Sequence, residues 1–153
     1  MKQEHKELLL KDLSARLFYG VRVRYSSTER FITATLRSID TWGSTVDLRC
    51  IPSKDNLNAC FNSVFVDKIK PYLFPLSSMT EEQKEELNKK YLVSIIGNSI
   101  TLIYHSEGYW DNDNECEFID YLWLTNWLLK NHFDIYGLIP KGLAIDATNL
   151  NIY

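Results

Sequence analysis

Residues alternate between apolar and polar side chains in three runs: Val21-Arg-Val-Arg24, Ile32-Thr-Ala-Thr-Leu-Arg37 and Thr45-Val-Asp-Leu-Arg-Cys50. Ser63-Val-Phe-Val-Asp67 is a fourth, less regular run. Successive side chains of a strand point to opposite faces, so each of the first three runs places apolar residues on one face and arginine on the other. The sequence predicts an antiparallel sheet with a buried face and a polar face, as a small SH3-like barrel or a curled sheet. An open sheet covered by the first helix is the alternative.

The segment before these runs predicts an amphipathic helix. Four leucines recur at helical spacing between Glu4 and Leu17, and Gly20 is placed to end the helix. Because an isolated helix of this length is only marginally stable in water, we expect its leucines to pack on the sheet.

The second half of the chain predicts further helices and a hairpin. Thr80-Glu-Glu-Gln83 has the sequence of a helix capping box, and Gly97-Asn98 favours a two-residue hairpin turn. The predicted elements are a helix over Met79–Lys90, strands over Leu92–Ile96 and Ser99–Tyr104, a Trp-rich helix over Glu117–Asn131, and a short edge strand over Leu143–Asp146.

Two prolines, Pro71 and Pro75, predict a break in regular structure and an internal boundary at residue 76. Residues 1–76 would form a lobe of helix and barrel-like sheet, and residues 77–153 a lobe of helix, hairpin and helix. Since each lobe is small, we expect the two to pack as one compact α+β unit.

Charge is distributed unevenly between these halves. Residues 1–76 carry 12 basic and 8 acidic residues, whereas residues 77–153 carry 5 basic and 12 acidic residues. All six arginines lie in the first third of the chain. This asymmetry predicts either attraction between the halves or a basic face that meets an acidic partner.

Composition excludes several classes of protein. A hydrophobic fraction of 45% is too high for a disordered chain. No apolar run is long enough for a membrane span, and no apolar run follows the N-terminal residues, so we expect a cytoplasmic protein without membrane contact. Cys50, Cys60 and Cys116 are widely spaced without a CxxC pair, which predicts reduced thiols and neither a disulfide framework nor a zinc site.

The acidic stretch Asp111-Asn-Asp-Asn-Glu-Cys-Glu117 has the spacing of a calcium loop in its first positions. However, Cys116 stands where the loop needs glycine, and Leu122 stands where it needs a bidentate glutamate. We therefore expect a solvated acidic loop, with no bound metal and no cofactor.

An enzymatic site is the third hypothesis for this chain. His132 and Asp134 are two residues apart, and His105 or Cys116 would be the additional group that catalysis needs. Neither a GxSxG motif nor a glycine-rich phosphate loop accompanies them. Capping of backbone groups at the end of the last helix explains both residues more simply, which disfavours an enzyme.

Nucleic-acid binding is the second hypothesis. Clustered guanidinium groups beside an aromatic ring suit a phosphate backbone and a stacked base. The candidate residues are Arg22, Arg24, Arg37, Arg49, Trp42, Lys68 and Lys70. Nearby Asp40, Asp47 and Asp67, with a whole-chain pI of about 5.6, favour instead a solvated sheet face with cross-strand ion pairs.

The leading hypothesis is a non-enzymatic module that binds another protein or acts as an adaptor. Aromatic residues make up 13% of the chain, and aromatic side chains commonly anchor protein interfaces. The candidate anchors are Tyr19, Tyr72, Tyr109 and Trp110.

Three blocks of sequence carry a family resemblance: Leu8–Leu17 with Tyr19-Gly-Val21, Lys70–Glu82, and Trp127–Asp134 with Gly137-Leu-Ile139 and Lys141-Gly-Leu-Ala144. Together they resemble a family of small uncharacterised proteins from gut anaerobic bacteria and their phages or mobile elements. Phe18 departs from the family's proline, and Tyr136 departs from its arginine. The resemblance implies a cytoplasmic accessory protein encoded by a phage or mobile element, and it implies no particular activity.

Overall fold

The computed structural model describes residues 1–26, 31–51, 60–89, 93–97, 99–102 and 121–153. Its helices and strands are α1 (Gln3–Arg16), β1 (Arg22–Ser26), β2 (Phe31–Asp40), β3 (Thr45–Cys50), β4 (Cys60–Phe65), β5 (Ile69–Leu73), α2 (Glu81–Asn88), β6 (Val93–Ile96), β7 (Ser99–Leu102), α3 (Tyr121–Lys130) and β8 (Ile145–Asp146). The predicted α+β class is confirmed. Within the described residues, no helix combines the length and the apolar character needed to span a bilayer.

The first helix covers one face of the sheet, as its leucine pattern predicts. Leu9 and Leu13 of α1 are fully buried among the inward-facing residues of the strands, including Val23 and Leu48. A 3₁₀ turn continues the helix to Tyr19, and Gly20 then takes a left-handed conformation with φ of +66°. Glycine enters this region without strain, which explains why the helix ends there.

The large sheet is mixed and open. Its strand order is β4-β3-β2-β1-β5-β8, with antiparallel pairing everywhere except between β5 and β8. A closed SH3-like barrel would need β5 to turn back towards β4, but β8 pairs along the outer edge of β5 instead. The barrel expectation is therefore corrected to the alternative, an open sheet under the first helix.

Two boundaries differ from their predictions. Pro71 does not interrupt regular structure, because it lies inside β5 opposite Val23. On its other side β5 pairs with β8 only at Tyr72 and Leu73, so at Pro71 it is an edge strand, where proline is tolerated. The fourth strand lies earlier than its alternation predicts, because Val66–Lys68 forms a 3₁₀ turn.

A second cluster of buried residues joins α2 and α3. The capping box of α2 is confirmed, with Gln83 N–H donating to Thr80 Oγ1 and Thr80 N–H donating to Gln83 Oε1. Gly97, with φ of +58°, lies between β6 and β7 in the predicted hairpin. The buried residues of this cluster are Leu76, Met79, Leu87, Leu124, Trp127, Leu128 and Phe133.

The two halves of the chain are held together by backbone pairing and apolar packing. Phe74 N–H donates to the His132 carbonyl at 2.9 Å, and Asp134 N–H donates to the Phe74 carbonyl at 2.8 Å. Leu138 and Leu143 lie in the same buried cluster as α1 and the sheet. Of the two salt bridges among the described residues, one lies within α1 and the other within α2. Neither joins the two halves, so the predicted electrostatic attraction between them is not seen there.

A buried arginine adds the polar part of this connection. Arg16, at the end of α1, is fully buried and donates to both carboxylate oxygens of Asp12, from Nε at 2.8 Å and from Nη2 at 2.9 Å. Its guanidinium also donates to the carbonyls of Leu129 at 3.3 Å and Phe133 at 2.6 Å, at the end of α3. The C-terminus of a helix attracts a cation through the helix dipole. Arg16 therefore ties α1 to α3.

The ionised form of Asp12 depends on this arginine. Burial raises the pKa of the Asp12 carboxyl above its ordinary value, and the nearby Asp134 charge adds to the rise. The hydrogen bonds and charge of Arg16 oppose both effects. Removing the guanidinium would leave a buried carboxylate without its counter-ion, which is far more costly than losing an exposed pair.

We expect Arg16→Met to lower the free energy of unfolding by about 3–5 kcal/mol, measured by urea denaturation. Lys84→Met, which removes the exposed Lys84–Glu81 salt bridge, is the matched control and should cost less than about 1 kcal/mol. The double variant Asp12→Leu/Arg16→Met should regain part of the loss, because it removes the unpaired carboxylate. Equal effects of the Arg16 and Lys84 substitutions would contradict the role given to Arg16.

Candidate functional site

The face of the large sheet opposite α1 carries a group of basic side chains. We call it the arginine face and define it by Arg22, Arg24, Arg37, Arg49 and Lys70. The burial of Val23, Leu36 and Leu48 on the other side of the same strands fixes this orientation, because side chains alternate along a strand.

Strand register sets which basic residues are neighbours. Arg24 lies directly opposite Lys70 on β5 and opposite Thr33 on β2. Residues directly opposite in antiparallel strands have Cβ atoms about 4.5–5.5 Å apart and share a face. Arg24 and Lys70 are therefore adjacent positive charges on the arginine face.

A second row of the arginine face crosses the sheet from β1 to β4. Thr35 lies opposite both Arg22 and Arg49, and Arg49 in turn lies opposite Cys60. Thr35 therefore separates the two arginines in the middle of the row. The row is continuous over four strands, with a basic residue on β1 and on β3.

Arg37 joins this group through an irregularity in β2. The register of β2 and β3 shifts between Leu36 and Ser38, which leaves Arg37 at the bulge without a partner of its own. Its Nη1 atom reaches the Sγ atom of Cys60 at 3.8 Å. This contact brings Arg37 to the same end of the face as Arg49.

The carboxylates in the same region are occupied by other donors. Asp47 accepts from Ser38 Oγ at 2.7 Å and from Ser63 N–H at 2.9 Å, and these hydrogen bonds hold the pKa of its carboxyl below the ordinary value, with a smaller contribution from the charge of Arg37. Asp40 accepts from Trp42 N–H within the turn between β2 and β3. Among the described residues, none of the five basic residues of the arginine face forms a salt bridge. The expected cross-strand ion pairs are therefore not found there.

An exposed aromatic ring accompanies the basic residues. Phe31, at the start of β2, is 68% exposed, and the Arg24 guanidinium carbon lies 4.7 Å from its ring centroid. Phe31 was not among the sequence candidates, although its spacing of two from Thr33 places it on the polar face. Trp42, which was a candidate, is 98% exposed but lies in the turn at the opposite end of β2.

The remaining candidates for the arginine face and for interface anchors do not lie together. Lys68 lies in the 3₁₀ turn before β5, outside the strand register. Tyr72 is buried, with its hydroxyl 3.4 Å from Thr33 Oγ1, so it is not available as an exposed interface anchor. Tyr19 is half-buried beside Gly20, and Tyr109 and Trp110 lie outside the described residues.

His132 and Asp134 both have structural contacts at the end of α3. Asp134 accepts from the backbone N–H groups of Leu138 at 2.7 Å and Ile139 at 2.8 Å. No hydrogen bond joins His132 to Asp134, although both residues are described. His105, Cys116 and the acidic stretch at residues 111–117 lie outside the described residues, within which no group of three His, Cys, Asp or Glu could hold a metal ion.

The His132 ring is held against Tyr153. The two ring centroids are 3.9 Å apart at an interplanar angle of 13°, and His132 takes a left-handed conformation with φ of +59°. The Tyr153 hydroxyl donates to the Tyr72 carbonyl at 2.8 Å and accepts from Arg22 N–H at 3.1 Å. Burial raises the pKa of Tyr153 to about 12. The hydrogen bonds of its hydroxyl therefore attach Tyr153 to β1 and β5, and its ring packs on His132.

No protein-family model, no curated protein sequence and no solved structure matches this chain.

His132 makes stability depend on pH in the acid range. Burial, together with the positive charges of Arg16 and Arg22, lowers the pKa of His132 to about 4 from an ordinary value of 6.5. The unfolded chain therefore binds a proton at a higher pH than the folded chain does. The stabilising contribution of neutral His132 is complete above about pH 6.5 and is lost as the pH falls towards 4.

We expect His132→Phe, which preserves a ring for stacking on Tyr153, to flatten the dependence of unfolding free energy on pH between about 6.5 and 4. The slope is the informative quantity, because a phenylalanine at positive φ lowers stability at every pH. His5→Gln, on the half-exposed part of α1, is the control and should retain the wild-type slope. An unchanged slope in His132→Phe would contradict a neutral, buried His132.

Proposed function

We propose that the protein is a non-enzymatic binding module that contacts an anionic partner through the arginine face. The observation that carries this proposal is the arrangement of charge. Five basic side chains lie on one sheet face without a salt bridge among the described residues, and Asp47 is engaged by Ser38 and Ser63. A partner that brings negative charge would supply the missing complement.

The energetics of the sheet support this proposal. Like charges directly opposite each other in antiparallel strands are destabilising, and Arg24 and Lys70 are such a pair. A pair of opposite charges at these two positions would stabilise the sheet instead. Natural proteins commonly retain unfavourable arrangements where function requires them, so the cost at Lys70 favours a functional surface.

The acidic total charge of the chain limits the strength of such binding. Four exposed glutamates of α2 and the other acidic residues of the second half bring the pI to about 5.6. A dedicated DNA-binding domain is usually basic overall. We therefore expect moderate affinity that weakens as salt screens the arginine face.

A protein partner is the second candidate function. Phe18, in the 3₁₀ turn after α1, is 93% exposed, and Tyr19 next to it is half-buried. An exposed phenylalanine beside a partly exposed tyrosine supports an interface anchor at this turn. The family resemblance of the three sequence blocks implies that either activity would be that of a phage or mobile-element accessory protein acting in the cytoplasm.

We expect Lys70→Glu to separate stability from binding. The new carboxylate lies opposite Arg24, so the free energy of unfolding should rise by a few tenths of a kcal/mol, up to about 1 kcal/mol. The same substitution should lower the salt concentration at which the protein elutes from immobilised heparin, because it removes a positive charge from the face and neutralises another.

Lys2→Glu is the charge-matched control, because Lys2 is exposed at the start of α1 and lies outside the sheet. It changes the net charge equally and should leave heparin elution close to that of the wild-type protein. Two results would contradict the proposed function: no retention of the wild-type protein at about 50 mM salt, or equal losses in the two variants.

A further inference from the structure

We infer that the anionic partner is a single-stranded nucleic acid, with a base stacked on Phe31 and the phosphates along the arginines of the sheet. This inference rests on the proposed function of the arginine face and names its partner. It is carried by the Arg24–Phe31 contact together with the order of the basic residues along β2 and its neighbours.

Phe31 has the properties of a stacking platform. Phe31 is 68% exposed although it belongs to a paired strand, where it lies opposite Ser26. The Arg24 guanidinium, 4.7 Å from the ring centroid, fixes the position of the ring without burying it. Nucleic-acid bases stack on aromatic rings and on guanidinium planes, so the Arg24–Phe31 pair offers both kinds of surface at one point.

The basic residues form a track that leads away from this platform. Going along β2 from Phe31, the first row contains Arg24 and Lys70, the next contains Arg22 and Arg49, and Arg37 stands at the bulge beyond. Phe31 and Arg37 are six residues apart, which is about 20 Å at 3.3 Å per residue. A track of this length suits a chain with repeated charges better than a single small anion.

A small hydroxyl side chain, Thr35, lies within the track. Thr35 stands between Arg22 and Arg49, while Thr33, in the row of Arg24, already has the Tyr72 hydroxyl 3.4 Å from its own. Threonine hydroxyls donate hydrogen bonds to phosphate oxygens, and their small size allows a backbone to approach the sheet. The arrangement therefore combines phosphate contacts in the middle with a stacking position at one end.

The geometry favours a single strand over a duplex. Bases inside a duplex present only their edges, so a ring on a sheet face cannot stack on them. Duplex recognition commonly places a helix in the major groove, but α2 carries exposed glutamates that phosphates would repel. An acidic peptide would use the arginines but would gain nothing from the stacking surface of Phe31.

The experiment measures fluorescence anisotropy of a labelled oligothymidylate of about 12 nucleotides, within the site sizes of single-strand-binding proteins. A duplex of the same length and a polyglutamate peptide serve as competitors. We expect the single strand to bind most tightly, and Phe31→Ala to weaken its binding about 5- to 100-fold with little change in salt dependence, because stacking is not electrostatic. Phe31→Trp, which keeps an aromatic ring at this position, should retain the affinity that Phe31→Ala loses.

Phe65→Ala is the matched control, because Phe65 is also an exposed strand phenylalanine, 61% exposed, but lies opposite Thr45 beyond the arginines. It should leave binding unchanged. Arg49→Gln should have the complementary effect and reduce the slope of log affinity against log salt concentration by about 0.7, the value for one phosphate on a single strand. Urea denaturation of each variant shows that a loss of binding does not come from unfolding.

The outcomes separate this inference from the proposed function. Retention on heparin with no preference for oligothymidylate over the duplex or polyglutamate would overturn the single-strand inference and leave the anion-binding face intact. Equal affinities of the wild-type and Phe31→Ala proteins would overturn the stacking role of Phe31. Failure to bind heparin as well would overturn both.

Discussion

The fold depends on one buried ion pair that also serves as a connector. Arg16 neutralises Asp12 within α1 and uses its remaining donors on carbonyl oxygens at the end of α3. A buried guanidinium is stable only when its charge and its N–H groups are matched, and here the two requirements are met by different parts of the chain. The packing of α1 on the sheet and the position of the last helix are therefore set together.

Because α1 packs on one face of the sheet, the opposite face is not part of this buried core. Val23, Ala34, Leu36, Val46 and Leu48 of β1, β2 and β3 are buried on the side of α1, so the arginines that alternate with them project from the other face. A closed barrel would have reduced the breadth of this surface, whereas the open sheet extends it from β4 to β5. The bulge in β2 then turns Arg37 towards Cys60 on β4.

Much of the local structure was predictable because its causes are local. Alternation predicted the first three strands, Gly20 predicted the end of α1, and the Thr80 capping box predicted the start of α2. Pro71 was misleading, since proline is excluded from a strand only where its missing N–H is needed, and that depends on how far β8 extends. Phe31 was missed for a different reason: its spacing from Thr33 places it on the polar face, but its contact with Arg24 depends on the pairing of β1 with β2.

The sequence by itself determined the α+β class, the two faces of the sheet and the restriction of arginine to the first third of the chain, because each follows from residue type and short-range periodicity. The tertiary structure decided that the sheet is open, that Arg16 is buried while the other described arginines lie on the sheet, and that Tyr72 is covered. It also placed Phe31 beside Arg24 and engaged Asp47, which shares the face of Arg49, with Ser38 and Ser63. These features depend on pairing between residues distant in the chain, and no local pattern specifies such pairing.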